Sequence, residues 1–398
     1  MRHRVIVREK KCKFTNTMKV LYITKSYLTD SDFPLIREYQ KRNIDVDTYI
    51  FGGNSSAGIL NIKKSKFRYG LYNASKYNTI SCLYKDYIDL NKVHFISLIG
   101  GKKGILFRYV ILLYLLIKFS FKKYDVAHYT WPLEGKEEQL LYKINTKKIL
   151  TVHDSKPHSG QEKQEYDRIV AFKKCDYFVL LSQSLVDEFS TSYEIPRSKI
   201  SVAGLGDFNY LDFIQPTERP LSNKYILFFG RIFPHKGVEY LLEAMVEVHK
   251  VIPDLKLIIA GKGDYYFDYN KFKDLDYIVF MPKLVDMQEM VNLFKGSEFC
   301  VCPYKDATQS GVIQTSFSMS VPVLATSVGA LPSCIDDGIN GILVPPCNTK
   351  ALSASIIKML NTPDLLNTMR ENINVTWRKK MSWKPIVDHY LNVYNEIF

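Results

Sequence analysis

No pair of cysteines in this chain is separated by two residues. The seven cysteines (Cys12, Cys82, Cys175, Cys300, Cys302, Cys334 and Cys347) are odd in number and scattered. Cys300 and Cys302 fall inside an apolar, strand-like run. A disulfide framework and a zinc site are thereby excluded, and reduced thiols buried as small hydrophobes are expected. Glycine is missing from the loop after the first strand-like run, KSYLTDSDFP (25–34). A dinucleotide fingerprint needs G-x-G-x-x-G there, so an NAD or FAD cofactor is disfavoured. Residues 1–17 are polar and lack an apolar leader segment; they read as a disordered extension ahead of Met18. The longest apolar stretch, GILFRYVILLYLLIKF (104–119), is short and interrupted by Arg108, which argues against a membrane span. No nucleic-acid recognition motif accompanies the basic charge, so nucleic acid is not an expected partner.

Against these absences stands a chain of 398 residues, 46% hydrophobic, long enough for two domains. The net charge of +13 is unevenly placed. Residues 1–150 hold 28 Lys and Arg against 12 Asp and Glu, whereas residues 151–398 are slightly acidic. The basic first part calls for a local explanation. The 104–119 stretch reads first as a buried helix of an α/β layer. Its flanking lysines and the positive surplus leave an interfacial helix on an anionic membrane surface as the second reading.

Apolar runs of strand length alternate with amphipathic stretches throughout. KVLYIT (19–24) is a buried strand, followed by a helix over 35–42 and a second strand, VDTYIF. YDVAHY (124–129) leads into Thr130-Trp131-Pro132, and KILTV (148–152) into His153-Asp154-Ser155-Lys156-Pro157-His158. Loops at the carboxyl ends of parallel strands converge on a ligand crevice. His153, Asp154 and His158 would there orient an acceptor hydroxyl or take its proton. Capping of the next helix by His153 and Asp154 accounts for them equally well, and no further ligand set suggests a metal. The polar stretch IQPTERPLSN (214–223) marks a domain boundary.

The alternation then restarts at KYILFFGRIFPHKG (224–237). Tyr225–Phe229 reads as a strand buried on both faces, ended by Gly230. Arg231 and Lys236 follow in a loop that opens the amphipathic helix VEYLLEAMVEVHKVI. Two cations at a strand's carboxyl end, beside a helix N-terminus, suit a phosphate-bearing ligand; the plainer alternative is a pair of solvated loop cations. LKLIIA with Gly261-Lys262-Gly263, DYIVFM, EFCVCPY, VPVLATS and DDGINGILVPP complete a second α/β unit. The expected class is therefore α/β, with two Rossmann-like doubly wound domains facing across a cleft.

The ordered set GRIFPHKGVEYLLEAM, LIIAGKGD and CPYKD through QSGVIQTSFSMSVPVLATSVGALPSCIDDGINGILVPP resembles the retaining glycosyltransferases of family 4, with the GT-B fold. KVLYIT, DVAHYTWP, LTVHD and SWKPIVDHYLNVYNEI resemble that family too, so the likeness covers the chain from Met18. The resemblance implies an acceptor domain over 18–215 and a nucleotide-sugar domain over 222–383, with helix 384–398 packing back onto the first. It implies that Arg231 and Lys236 bind the donor diphosphate in place of a metal. Gly230, Gly261, Gly263 and Lys283 would line the donor pocket, with Thr130, Trp131 and His158 on the acceptor side. It further implies a nucleotide sugar and a glycan or lipid-linked acceptor as partners and no other cofactor; the reduced thiols suggest a cytoplasmic location, and the basic first part with the 104–119 stretch points to a peripheral place at the inner membrane face.

Two glutamates, eight positions apart, usually precede the VPV strand in that family. Here those positions are Ala307 and Thr315, with Asp306 one position out of register. Gln309, Ser310, the N–H of Gly311 and the Thr315 hydroxyl are the substitutes for donor binding. The histidine many relatives carry after the DVVH-like strand is Thr130, and the glycine pair after the first strand is missing. These departures set a second expectation beside the enzyme, a catalytically silent binding or scaffold subunit of a glycan-assembly complex. A phosphorylase or epimerase on the same plan is a third.

Overall fold

The computed structural model describes residues 18–52, 69–76, 84–99, 101, 104–153, 162–307, 310–329 and 331–397. The 1–17 extension, Asp154, His158 and Gln309 lie outside them. Two mainly parallel sheets organise the chain. The first contains β1 (Lys19–Lys25), β2 (Asp45–Gly52), β3 (Gly70–Asn73), β4 (Val93–Ser97), β5 (Val126–Tyr129), β6 (Lys147–Val152), β7 (Tyr177–Leu180) and β8 (Ile200–Val202). Their order is β3-β4-β2-β1-β5-β6-β7-β8, antiparallel only at the β3–β4 edge. The second contains β9 (Tyr225–Phe229), β10 (Lys256–Ala260), β11 (Ile278–Met281), β12 (Cys300–Cys302), β13 (Val323–Thr326) and β14 (Gly341–Val344). Its order, β11-β10-β9-β12-β13-β14, reverses between β9 and β12 and makes a switch point there. The apolar runs become central strands because helices cover both faces, so a chain segment with no polar alternation finds no water on either side. Cys300 and Cys302 are both buried in β12.

The principal helices, in chain order, are α1 (Thr29–Lys41), α2 (Ile105–Lys122), α3 (Glu162–Lys174), α4 (Val238–Val251), α5 (Met287–Gly296), α6 (Gly311–Ser318), α7 (Thr349–Asn361) and α8 (Trp383–Glu396). Two differ from expectation. Helix α1 begins at Thr29 and runs through Pro34, six residues earlier than the apolar pattern suggests. Its first turn carries Asp30 and Asp32, which favour the positive end of the helix and offset the hydrogen bond that Pro34 cannot donate.

Helix α2 is not the buried helix expected over 104–119. Only Leu112, Leu115 and Phe119 are buried, while Leu106, Val110, Leu113, Tyr114, Ile117 and Phe121 face outward. A largely apolar helix on an outer layer has only one face to offer the sheet.

The last helix, α8, belongs to the first sheet. The chain returns to it beside the outgoing linker, where Asp207 N–H donates to Met381 O at 2.9 Å and Trp383 Nε1–H donates to Asp207 O at 2.6 Å. Trp383 lies on Gly206, where an added Cβ would come within 2.5 Å of the indole. Farther on, the Tyr394 hydroxyl meets both the Tyr39 hydroxyl (2.8 Å) and His128 Nδ1 (2.6 Å). His128 Nε2 meets Thr151 Oγ1 at 2.8 Å, and Tyr390 reaches the same Thr151 oxygen at 3.2 Å. Burial pushes the His128 pKa down to about 3 and keeps the ring neutral.

Candidate functional site

A cavity of about 840 Å³ opens between the two sheets at the carboxyl ends of the second. Its floor is the turn after β9. Gly230 adopts φ 124°, which turns the chain sharply at the strand end, and Arg231 follows, exposed and lining the cavity. No carboxylate among the described residues forms an ion pair with Arg231. The turn is held from the side by the loop after β10. Ile232 N–H donates to Lys262 O at 3.1 Å, and Gly230 N–H donates to Ala260 O at 3.0 Å.

Gly261 and Gly263 line the cavity, as does Lys262 between them. Their lack of a side chain is forced by the neighbouring backbone. A Cβ on Gly261, at φ 152°, would stand 1.9 Å from Gly230 O, and one on Gly263 would stand 2.3 Å from Ile232 O. These glycines let two strand-end loops lie against each other and so fix where Arg231 starts.

The opposite part of the second domain's wall is the N-terminus of α6. Ser310 caps it, its side chain accepting from Ile313 N–H at 3.4 Å. Gly311 and Thr315 line the cavity, and nothing lies within 4 Å of where a Gly311 Cβ would be. Thr315 donates its hydroxyl to Gly311 O at 2.8 Å, leaving its oxygen's acceptor capacity free. Ala307 is buried, and a Cβ on Gly329 would stand 1.6 Å from its carbonyl oxygen, so Gly329 lets the two loops approach. Lys283 lines the cavity while pairing with Glu289 at 2.7 Å.

Lys236 stands apart from this lining. It is half-buried, with Nζ 3.6 Å from the centre of the Tyr304 ring, and burial lowers its pKa. The short turn Pro234–Lys236 and the left-handed Gly237 (φ 63°) direct it there.

The first domain supplies the other wall, and its expected residues are engaged with one another. Thr130 is buried and donates to Thr24 Oγ1 at 2.6 Å; Thr24 in turn donates to Asp32, which also accepts from Tyr22 at 2.8 Å. Desolvation raises the Asp32 pKa to about 7, against the lowering effect of those two hydrogen bonds. Lys25, at the end of β1, is buried against Glu138 at 2.9 Å. Trp131 and His153 have ring centres 5.9 Å apart, with the Arg168 guanidinium 5.8 Å from the Trp131 ring centre. Thr130, Trp131 and His153 therefore form a neighbouring cluster around cavities of only about 10 and 20 Å³.

One residue of this wall does line the large cavity and was not singled out in the sequence. Asp30 lies in the first turn of α1, and its Oδ1 is buried with no hydrogen-bond partner among the described residues. Burial raises its pKa to about 6. Phe208 and Tyr210, from the segment after β8, complete this side. The absence of glycine from the first loop was the available signal: that loop is a helix start carrying a carboxylate. Among the described residues, no group of three or more His, Cys, Asp or Glu is placed to hold a metal ion.

Comparison with known proteins agrees with this geometry. Residues 223–362 match the family described as glycosyl transferases group 1. The chain is 25% identical over 271 residues to an alpha-D-kanosaminyltransferase of Streptomyces kanamyceticus, covering 63% of this chain and 70% of that protein. Its fold matches a glycosyltransferase from Rickettsia africae with TM-score 0.62 at 17% identity, over 96% of this chain and 99% of the other. It also matches Anabaena Alr3699/HepE, solved in complex with UDP-glucose, with TM-score 0.63 at 13% identity, over 95% and 100% of the two chains. Two Rossmann-like sheets with a cleft at their strand ends share the GT-B fold of these glycosyltransferases, and the second domain carries the match to glycosyl transferases group 1.

Proposed function

We propose that the protein transfers a sugar from a nucleoside diphosphate donor of the UDP or GDP type to a hydroxyl of a glycan or lipid-linked acceptor, with retention at the anomeric carbon. The observation that carries this reading is Arg231: a cation without an ion-pair partner among the described residues, at the strand-end turn of a cavity of about 840 Å³. The diphosphate is the anion that fits between Arg231 and the backbone N–H groups at Gly311 and Val312. The anomeric C–O bond to the diphosphate breaks, a bond to the acceptor oxygen forms, and the acceptor's proton leaves with the diphosphate. Negative charge grows on the leaving group during this step, so a fixed guanidinium stabilises the transition state more than the ground state. In this reading Arg231 carries the charge that a metal ion would otherwise supply, and Lys236 tunes the field from behind Tyr304. Lys283, Leu284 and Val285 offer the base a slot with one polar rim. Asp30 faces the sugar end from the first domain and accepts from a hydroxyl.

A silent binding subunit is the second reading, favoured by the buried methyl of Ala307, which offers no hydrogen-bonding group, and by the self-engaged cluster at Thr130. Thermal-shift titration with UDP, GDP and their common sugars, on wild type and Arg231→Ala, separates the two. A shift by one nucleotide class that vanishes in the variant supports the enzyme, and release of free nucleotide from that donor should follow. No shift with any nucleotide would leave the binding-subunit reading standing.

A further inference from the structure

We infer that the cavity takes a sugar bearing a free ammonium group, seated at Asp30 and the aromatic wall beside it. This rests on the proposed function, because the occupant is the nucleotide sugar or its acceptor. It goes beyond a neutral hydroxyl at the same carboxylate.

Asp30 lines the cavity from the first turn of α1. Its Oδ1 is buried with no hydrogen-bond partner, and no cation among the described residues pairs with the carboxylate. Burial raises its pKa to about 6, so at pH 7 the group is mostly ionised and its charge is unanswered. Asp32, in the same turn, differs: it accepts from Tyr22 and Thr24. Two further carboxylates line the cavity, Asp264 and Asp286, and both are exposed to water. Asp286 also accepts from Glu289 N–H at 2.9 Å as the cap of α5. Of these three lining carboxylates, Asp30 is the one whose charge is both desolvated and unpaired.

The wall around Asp30 is aromatic. Phe208 and Tyr210 line the cavity with ring centres 6.3 Å apart, and the Tyr84 ring centre lies 6.0 Å from that of Tyr210. Burial first, and then the Asp30 charge, raises the pKa of Tyr84 and of Tyr210, so both phenols lie in the field of the carboxylate. The wall is held in place. Phe208 N–H donates to Ser318 Oγ at 2.8 Å, and Tyr84 meets Phe33 edge-on at 4.9 Å. A carboxylate among aromatic rings is the chemistry that recognises an ammonium. A hydroxyl would supply a hydrogen bond and leave the charge buried; an ammonium supplies the donors and the countercharge together. A metal ion needs more oxygen ligands than one carboxylate provides.

The two domains then divide the ligand by charge. Arg231 and Lys262 line the cavity from the second domain, and Asp30 lines it from the first. A nucleoside diphosphate joined to an amino sugar is anionic at one end and cationic at the other, and matches both. A neutral hexose donor matches the anionic half alone. An amino group on the acceptor would meet the same carboxylate, so the two sources are separated by experiment.

Calorimetric titration at pH 7 of wild type and Asp30→Asn tests this. The ligands are UDP-glucose and its amino-deoxy analogues with the amino group at C2, C3, C4 or C6, then the corresponding methyl glycosides with UDP present. The GDP series takes their place where GDP is the nucleotide that binds. One amino ligand should bind wild type at least about tenfold tighter than its hydroxyl counterpart, and Asp30→Asn should bring the two within about twofold. The preference places the ammonium on the donor if it appears in the nucleotide-sugar set, and on the acceptor if it appears in the glycoside set. Equal affinity for amino and hydroxyl ligands in both sets, or a preference that survives in Asp30→Asn, would overturn the inference. Binding of free nucleotide without that preference would leave the proposed function standing, whereas failure of every nucleotide to bind would sink both.

Discussion

The two walls of the cleft use their polar residues in opposite ways. On the second-domain wall, two of the groups that face the cavity are left open: Arg231 has no carboxylate partner among the described residues, and Gly311 has open space around it. On the first-domain wall, Thr130, Thr24, Asp32 and Tyr22 satisfy one another, and His128 is spent on Tyr394 and Thr151. Among the described residues of this wall that line the large cavity, Asp30 has a buried oxygen with no hydrogen-bond partner. One wall keeps a cation and open space toward the cavity, and the other holds itself and α8 together. A buried polar group left unpaired costs stability, so such groups persist where a ligand completes them.

This contrast can be broken at several points. Arg231→Ala should have the largest effect, lowering turnover by about 10²–10³ as removal of a transition-state charge partner does, with Tm within a degree or so of wild type by the small cost of exposed substitutions. A steady-state assay of nucleotide release measures it; an unchanged rate would remove Arg231 from the site. Gly261→Val should cost both stability and nucleotide binding, because a Cβ 1.9 Å from Gly230 O forces the two loops apart. Calorimetry should show a Tm loss of several degrees, roughly 2–4 kcal/mol on the scale of strained positions. A normal Tm with normal binding would contradict the contact.

On the self-satisfied wall the expected effects are smaller and appear in stability. Tyr394→Phe leaves the Tyr39 hydroxyl and His128 Nδ1 without their shared partner and should cost about 1–3 kcal/mol in denaturant unfolding. The smallest effect belongs to Asp30→Asn. The Asp30 pKa is raised from 3.8 to about 6 in the folded protein, so the folded state holds its proton more tightly than the unfolded one. Its contribution to stability is present below about pH 4 and is lost as pH rises through about 6. The Asn variant should therefore gain on wild type over that interval in Tm measured against pH. Parallel curves would show that Asp30 is not held in a desolvated site.

Much of the second domain was readable because its strands are continuous apolar runs closed by Gly, Pro or Ser, and a central parallel strand needs nothing more. Tyr225–Phe229, Lys256–Ala260 and Val323–Thr326 lie inside the stretches that pattern marks. The cation at 231 was legible for the same reason, since the strand end fixes the position of the residue after it. The edge was harder. Strands β3 and β4 fall in a stretch rich in Asn, Tyr and Lys, where pairing with a neighbour, and not composition, makes the strand. Asp30 was hidden by Pro34, which moves the apparent helix start past it. The exposure of α2 was hidden because a helix apolar on most sides carries little mark of which side its neighbours will cover. The engagement of Thr130 with Thr24 joins residues 106 apart and has no local signature.

The bond between Tyr394 and His128 spans 266 residues of sequence, and that between Tyr394 and Tyr39 spans 355. A ribosome releases the first domain's strands long before it makes Tyr394. Until then the His128 ring and the Tyr39 hydroxyl have no protein partner in α8, and the groove that α8 will fill is lined with aromatic side chains. The first domain is thus made first and finished last. A chain broken off early by a protease or a stalled ribosome would carry an incomplete first domain, whereas a chain with that domain sealed has been made through Tyr394.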